Sequence, residues 1–349
     1  MLTLVSSPRF VDHVTPPGHP ERLERAHVLE AIADRWRERG GEVLAPRLAG
    51  RHELARVHAE AYLDALEGVR GRAAMLDPDT YTSPASLEIA ALAAGAALTA
   101  LERVTAAAPP PGESDIARRA LALVRPPGHH AESDRAMGFC LYNSIAIAAM
   151  AALDRGMERV AIVDFDVHHG NGTERCFYRD PRVLFVSTHQ YPFYPGTGAA
   201  ADTGEGDGRG FTVNVPLERG STDGDYMLVC DRVIVPVLDE FAPDLVLVSA
   251  GFDAHERDPL AHMRMTASGF GVLTARIAGA ADRHARGRLV LVTEGGYDLP
   301  ALGESLDAVV RVLAGDAPPD PASLEAPTGR GAAAVDAVRA AQARRWHAL

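Results

Sequence analysis

Asp166 and His168 stand two positions apart, just beyond the apolar run Val160–Val163. On an extended segment residues i and i+2 point the same way, so a carboxylate and an imidazole leave the end of a strand together. Their mixed oxygen and nitrogen donors suit Zn²⁺ or Fe²⁺. Taken alone, the pair reads equally well as a hydrogen-bonded loop. A third donor follows a second apolar run, where Leu245–Ser249 leads into Ala250-Gly-Phe-Asp253. Three ligands leave positions open for water and substrate, the arrangement of a catalytic rather than a structural zinc site. A divalent ion there makes water a usable nucleophile near neutral pH and polarises a carbonyl. His129 and His130 follow a proline-stiffened loop, Arg125-Pro-Pro-Gly128, that could aim both imidazoles into one cavity. One of them could take a proton from water and return it to a leaving amine; a solvent-facing pair is the alternative. Tyr297, on the hinge Gly295-Gly296, could donate a hydrogen bond to a developing oxyanion. These parts suffice to hydrolyse an amide. No serine- or cysteine-based alternative stands out, because Cys140, Cys176 and Cys230 sit in no glycine-rich elbow.

The elements that must position these residues repeat one pattern. After a short apolar start at Leu2–Val5, Glu42–Leu44, Ala120–Val124, Val160–Val163, Val183–Ser187, Phe211–Val215, Leu245–Ser249 and Leu289–Thr293 are predicted strands. Helices are expected over Glu21–Arg39, Arg51–Val69, Ser144–Ala152, Asp223–Phe241 and Ser268–Ala285. A long alanine-rich helix is expected from Ser83-Pro84 to about Ala107, and Arg330–Leu349 as a terminal helix. Within Arg51–Val69, His58 reads as a surface or capping residue rather than a ligand. Leu76–Pro84 reads as a turn-rich loop, and the proline-rich 106–113 as a surface connection tolerant of insertion. Near-continuous apolar strands alternating with helices predict an α/β fold: one domain over 1–349, with a mostly parallel sheet covered on both faces. The chemistry then lies beyond the carboxyl ends of the strands. That places His129, His130, Asp164 to His168, Asp253 and Tyr297 on one sheet edge.

Composition narrows the function classes. The 349 residues carry 35 basic and 47 acidic side chains, a net charge of −12, and every basic residue is arginine. An acidic chain without a basic stripe does not grip a phosphate backbone by itself, so no direct nucleic-acid partner is expected. Three cysteines without zinc-binding spacing fit reduced thiols in a cytosol. No basic signal start and no apolar run of the ~18 residues a membrane span needs is found, so a cytoplasmic protein with no membrane partner is expected.

Six stretches occur in an order that resembles a known family. Arg125-Pro-Pro-Gly-His-His130, Gly138-Phe-Cys140, Asp164-Phe-Asp-Val-His-His-Gly-Asn-Gly172, Tyr194-Pro-Gly-Thr-Gly198, Ser249-Ala-Gly-Phe-Asp253 and Glu294-Gly-Gly-Tyr297 are similar to the motif series of zinc-dependent histone deacetylases, acetylpolyamine amidohydrolases and bacterial acetoin-utilisation proteins. The likeness spans about Pro16–Leu313, leaving a linker and a terminal helix over 314–349. It implies the arginase/deacetylase fold, with Zn²⁺ (or Fe²⁺) on Asp166, His168 and Asp253. It further implies His130 as general base and acid, His129 as its electrostatic neighbour and Tyr297 as carbonyl polariser, with Asp164 orienting His129 and Asn171 facing His130. Gly138, Phe139, Tyr194, Gly295 and Gly296 would line a narrow channel. A structural K⁺ would use Asp164, Asp166, His168, Ser187 and Thr188, partly through backbone oxygens. Asn171, the sequence His19-Pro-Glu-Arg22 and Glu294 favour the class II branch.

Departures discriminate among relatives. The arginase-like Asp-x-His-x-Asp run that holds two manganese ions is missing its last acid, which here is Gly170. Weakly catalytic relatives replace the tyrosine with histidine, so the retained Tyr297 disfavours a silent acetyl-lysine reader. Polyamine-selective members carry an acid seven positions after the last zinc ligand, and this chain has Leu260 there. That neutral gate predicts deacetylation of acetyl-lysine in peptides or proteins. Acetylated polyamines are the alternative substrate class, favoured by Asp77, Asp79 and the net negative charge. One of those two rim acids would hydrogen-bond a peptide backbone, unless both are turn residues around Pro78. The terminal helix would pack on the body or on a neighbouring subunit, so a homo-oligomer is a further expectation.

Overall fold

Eight short strands rich in valine, leucine and alanine pair in parallel. In chain order they are β1 (Thr3–Val5), β2 (Glu42–Leu44), β5 (Arg119–Ala122), β6 (Val160–Asp164), β7 (Val183–Gln190), β8 (Thr212–Leu217), β9 (Leu245–Ala250) and β10 (Leu289–Thr293). The computed structural model describes residues 2–106 and 118–349. The spatial order is β2-β1-β5-β10-β9-β6-β7-β8. A parallel sheet needs crossovers, and crossover helices cover both faces. One face carries α1 (Glu24–Glu38), α7 (Asp223–Val229), α8 (Val235–Phe241), α9 (Ala267–His284), α10 (Leu299–Leu313) and α11 (Arg330–Gln342). The other carries α3 (Glu60–Glu67), α4 (Ser86–Thr105) and α5 (Ser144–Asp154).

Because alternate strand residues face opposite sides, the interior strand β6 feeds two cores. Ala161 and Val163 join the first and Val160 and Ile162 the second, all without solvent exposure. Burial of each large aliphatic side chain is worth roughly 1.5–3 kcal/mol, so the central strands are fixed in register from both faces. That register sets the site: Asp164 pairs with Ser249 on one side and Ser187 on the other, and Thr293 pairs with Ala250.

Several local expectations are corrected. Arg51–Val69 is not one helix but α2 (Arg51–Leu54) and α3. α2 ends at Leu54, and Ala59, the N-cap of α3, donates its N–H to Ser133 O at 2.8 Å. His58 is therefore buried in the break rather than on the surface: its Nδ1 meets Glu132 O at 2.9 Å and its Nε2 accepts the Asn143 N–H at 2.9 Å. The loop expected over Leu76–Pro84 contains an antiparallel hairpin, β3 (Ala74–Asp77) and β4 (Thr80–Thr82). α4 begins at Ser86, and it is the Ser86 hydroxyl that accepts the Ser83 N–H at 2.7 Å, the reverse of a Ser83 cap. Asp223–Phe241 is interrupted by a π turn over Cys230–Ile234. Pro236, in the first turn of α8, has no N–H for the Arg232 carbonyl, which removes one α-type bond. The terminal helix ends at Gln342 and packs on α7 and β8 of its own chain, with Trp346 buried beyond it. The expected connection over 106–113 lies, from residue 107 onward, outside the described residues.

Candidate metal centre and active site

Strands β5, β10, β9, β6 and β7 are neighbours in that order, and each releases its chain at the carboxyl edge of the sheet. The tips after β6 and β9 bring Asp166, His168 and Asp253 together, with one donor atom from each within 4.8 Å of the others. His168 Nδ1 lies 3.2 Å from Asp166 Oδ1 and 3.1 Å from Asp253 Oδ2. The rest of each carboxylate is held by backbone: Gly295 N–H donates to Asp166 Oδ2 at 2.8 Å and Val167 N–H to Asp253 Oδ1 at 2.9 Å. Two buried carboxylates with no arginine partner among the described residues need a compensating positive charge. Burial disfavours charge on His168, yet hydrogen bonds to Asp166 and Asp253 outweigh it and raise its pKa to about 10. A divalent cation would satisfy the same demand, so this donor set fits a metal.

The loop after β5 delivers both histidines to the same edge. His129 Nδ1 meets Asp164 Oδ2 at 3.0 Å, and His130 Nδ1 meets Asn171 Oδ1 at 2.8 Å. The two rings lie 4.0 Å apart by centroid, but their environments differ. Burial opposes charge on His129, but Asp164 and Asp166 raise it to about 10. Burial, then the positive His129 and His168, push His130 well below its usual range, leaving it neutral and able to accept a proton. Tyr297 is buried, which holds its hydroxyl protonated well above the usual phenol range although Arg25 opposes this. Residue 170 admits no further acid: a Cβ there would lie 2.1 Å from Asp164 Oδ2.

His130, His168 and Tyr297 line a cavity of about 210 Å³ together with Asp79, Gly138, Phe139, Phe193, Tyr194 and Leu260. Tyr194 stands edge-on to His130, with ring centroids 5.3 Å apart, and Phe139 edge-on to Tyr297 at 5.8 Å. Phe139 takes φ 68°, a conformation bulky residues avoid. The hairpin over-determines it: Gly138 N–H donates to Asp79 Oδ1 and Phe139 N–H to Thr80 Oγ1, both at 3.1 Å. Residue 138 must be glycine, since φ is +56° and a Cβ would lie 2.3 Å from the His130 ring. Asp77 is not on the cavity wall; it braces Asp79 by accepting its N–H at 3.0 Å. Gly295 and Gly296 also lie off the wall, where Gly296 O accepts from Arg25 Nε at 2.8 Å. Ser187 and Thr188 sit on β7 beside Asp164, with Ser187 Oγ 3.0 Å from His189 Nδ1.

Four supporting residues escaped sequence reasoning. Phe193 stacks on His168 at 5.5 Å and 19°. Arg25, fully buried with Glu21, lies 5.1 Å from the Tyr297 ring centroid. Asp258 accepts Tyr297 N–H at 2.7 Å and Leu260 N–H at 3.0 Å, tying two walls of the cavity to one carboxylate. Glu132 holds the Asn171 amide at 2.9 Å. The usable signals were an acid two positions after the double histidine and an Asp-Pro turn shortly after Asp253.

Comparison with known proteins supplies the family. The histone deacetylase domain family matches residues 17–313. A probable deacetylase of Archaeoglobus fulgidus is 40% identical over 319 residues, covering 89% of this chain and 86% of that protein. The histone deacetylase-like amidohydrolase of Pseudomonas aeruginosa is 43% identical over 296 residues, covering 84% and 74%. The crystal structure of the HDA15 HD domain aligns with a TM-score of 0.87 at 35% identity, covering 99% of this chain and 96% of that one. With the family domain spanning most of its length and the same fold throughout, the chain is a hydrolase of the histone deacetylase family.

Proposed function

We propose that this protein is a metal-dependent amide hydrolase that removes acetyl groups from the side-chain amine of lysine in peptides or proteins. The reading rests on one juxtaposition: His168, a member of the Asp166–His168–Asp253 donor set, lines a single aromatic-walled cavity together with neutral His130 and protonated Tyr297. Asp166, His168 and Asp253 would hold Zn²⁺ or Fe²⁺, and the bound ion supplies activation of water and polarisation of the acyl carbonyl. His130 takes the water's proton and returns it to the departing amine. His129, kept charged against Asp164, stabilises negative charge as it develops. The Tyr297 hydroxyl donates to the carbonyl oxygen as it becomes an oxyanion. Phe139 and Tyr194 grip the aliphatic stem and exclude water, while Asp79 at the mouth can accept a substrate backbone N–H. A K⁺ ion behind the centre would take the oxygen donors of Asp164, Asp166, His168, Ser187 and Thr188.

Leu260 lines the cavity where an acid would attract the second ammonium of a polyamine, which favours the peptide. The test is kcat/KM for acetyl-lysine peptides beside mono-acetylated polyamines, on protein of measured metal content. Preference for the peptide is expected. Preference for the polyamine would mean that Asp79, braced by Asp77, outweighs the neutral Leu260. Stoichiometric metal with no hydrolysis of any acylated amine would overturn the enzyme reading.

A further inference from the structure

We propose that Glu132 is a positioning residue that fixes which nitrogen of His130 carries the proton, acting through the amide of Asn171. The proposal rests on the reading of His130 as general base. It concerns a residue outside the metal ligands and the cavity wall.

The Glu132 side chain is only 5% exposed and collects three donors. Arg135 Nη2 donates to both its oxygens at 2.8 Å, Arg175 Nη1 to Oε2 at 2.7 Å, and Asn171 Nδ2 to Oε1 at 2.9 Å. Guanidinium groups donate and never accept, so both oxygens of Glu132, each facing a guanidinium N–H, serve as acceptors. The side of Asn171 that faces Glu132 must therefore be its NH₂. Its other side, the carbonyl Oδ1, is then the one 2.8 Å from His130 Nδ1. An acceptor opposite Nδ1 requires an N–H there, and a neutral imidazole carries one proton. Nε2 is left with a free lone pair, the form of His130 that can receive a proton.

A flipped Asn171 would set its oxygen against the Glu132 carboxylate and its NH₂ against Nδ1. His130 would then become the Nε2–H tautomer, which cannot act as a base at that nitrogen. An aspartate at position 171 would accept from Nδ1–H in either orientation and would need no such guard. It would also stand as a second buried carboxylate against Glu132. The asparagine and Glu132 thus function as a pair, with the orienting charge held in place from the surface by Arg135 and Arg175, 57% and 59% exposed.

The test is a double-mutant cycle on the metal-loaded protein, reading kcat, KM and metal content, together with the tautomer of His130 in the unmutated holoprotein from long-range ¹H–¹⁵N spectra of histidine-labelled material. Glu132→Ala should lower kcat on the order of 10- to 100-fold, with KM and metal content little changed. In an Asn171→Asp background the same Glu132→Ala change should not lower kcat, because a carboxylate cannot be flipped into a donor. Equal losses in both backgrounds would make Glu132 a structural brace and overturn the proposal, as would no loss in the first. The spectrum should show Nδ1–H on His130; Nε2–H would overturn the proposal even if the alanine variant did not fold. An unmutated holoprotein that hydrolyses no amide would instead defeat the general-base reading itself, a failure separable from these.

Discussion

At the scale of single residues the centre is a balance of buried charges. Without a cation, Asp166 and Asp253 hold His168 protonated up to about 10, although burial opposes it. A metal ligand must be deprotonated, so binding and proton release are linked. Titrating Zn²⁺ into metal-free protein at pH 7.5 in weak buffer should release about one proton from His168; metal uptake with no proton release would contradict the ligand set. Tyr297 stays protonated across the working range, so in the proposed mechanism it offers a hydrogen bond rather than a charge. Tyr297→Phe should keep its metal and lose on the order of 10²-fold or more in kcat. A phenylalanine variant of near-normal turnover would remove the tyrosine from the mechanism. The candidate ligands and the two histidines were legible in the sequence as a cluster because each follows an apolar run that ends at the same sheet edge. Asp258 and Glu132 were not, since their partners are backbone N–H groups and an amide brought near only by folding.

At the scale of elements, buried strands announced themselves as apolar runs, and the parallel order follows from helices alternating with them. Within Arg51–Val69 a tertiary hydrogen bond, from Ala59 N–H to Ser133 O, takes the place of a local one. His58 sits at that break. It donates from Nδ1 to Glu132 O and accepts Asn143 N–H at Nε2, which only the neutral ring can do. Burial lowers its pKa to about 4. The unfolded ring, at about 6.5, binds a proton that the folded ring refuses, so the stabilising effect is complete above the unfolded value and is lost as pH falls through the folded one. The stability lost over that window is on the order of 3 kcal/mol. The melting temperature should therefore fall between pH 6.5 and 4, and His58→Gln should show a shallower fall. Identical slopes would mean that other groups set the acid limit. The hairpin β3–β4 was missed because its residues read as turn formers around Pro78. Its role emerges only where Asp79 and Thr80 meet the Gly138-Phe139 backbone.

At the scale of the whole molecule, one sheet with a core on each face forms a rigid platform, and all the chemistry lies along one of its edges. The C-terminal segment belongs to the first of those cores. Trp346 is 2% exposed, donates from Nε1 to Gly210 O at 2.8 Å and packs against Phe211 and Phe241. Trp346→Ala should cost about 3–5 kcal/mol of stability while leaving kcat/KM unchanged at temperatures where the variant is folded. Loss of activity without loss of stability would place the segment in the site instead. No helix among the described residues is long and apolar enough to cross a membrane. The central claim is that Asp166, His168 and Asp253 hold a metal that drives amide hydrolysis. It is tested most directly by acetate release from an acetyl-lysine peptide, with metal content determined on the same samples, for the unmutated protein and for Asp253→Ala. Stoichiometric metal and hydrolysis in the first, and loss of both in the second, are predicted. Hydrolysis that persists in Asp253→Ala after its metal is gone would contradict the account.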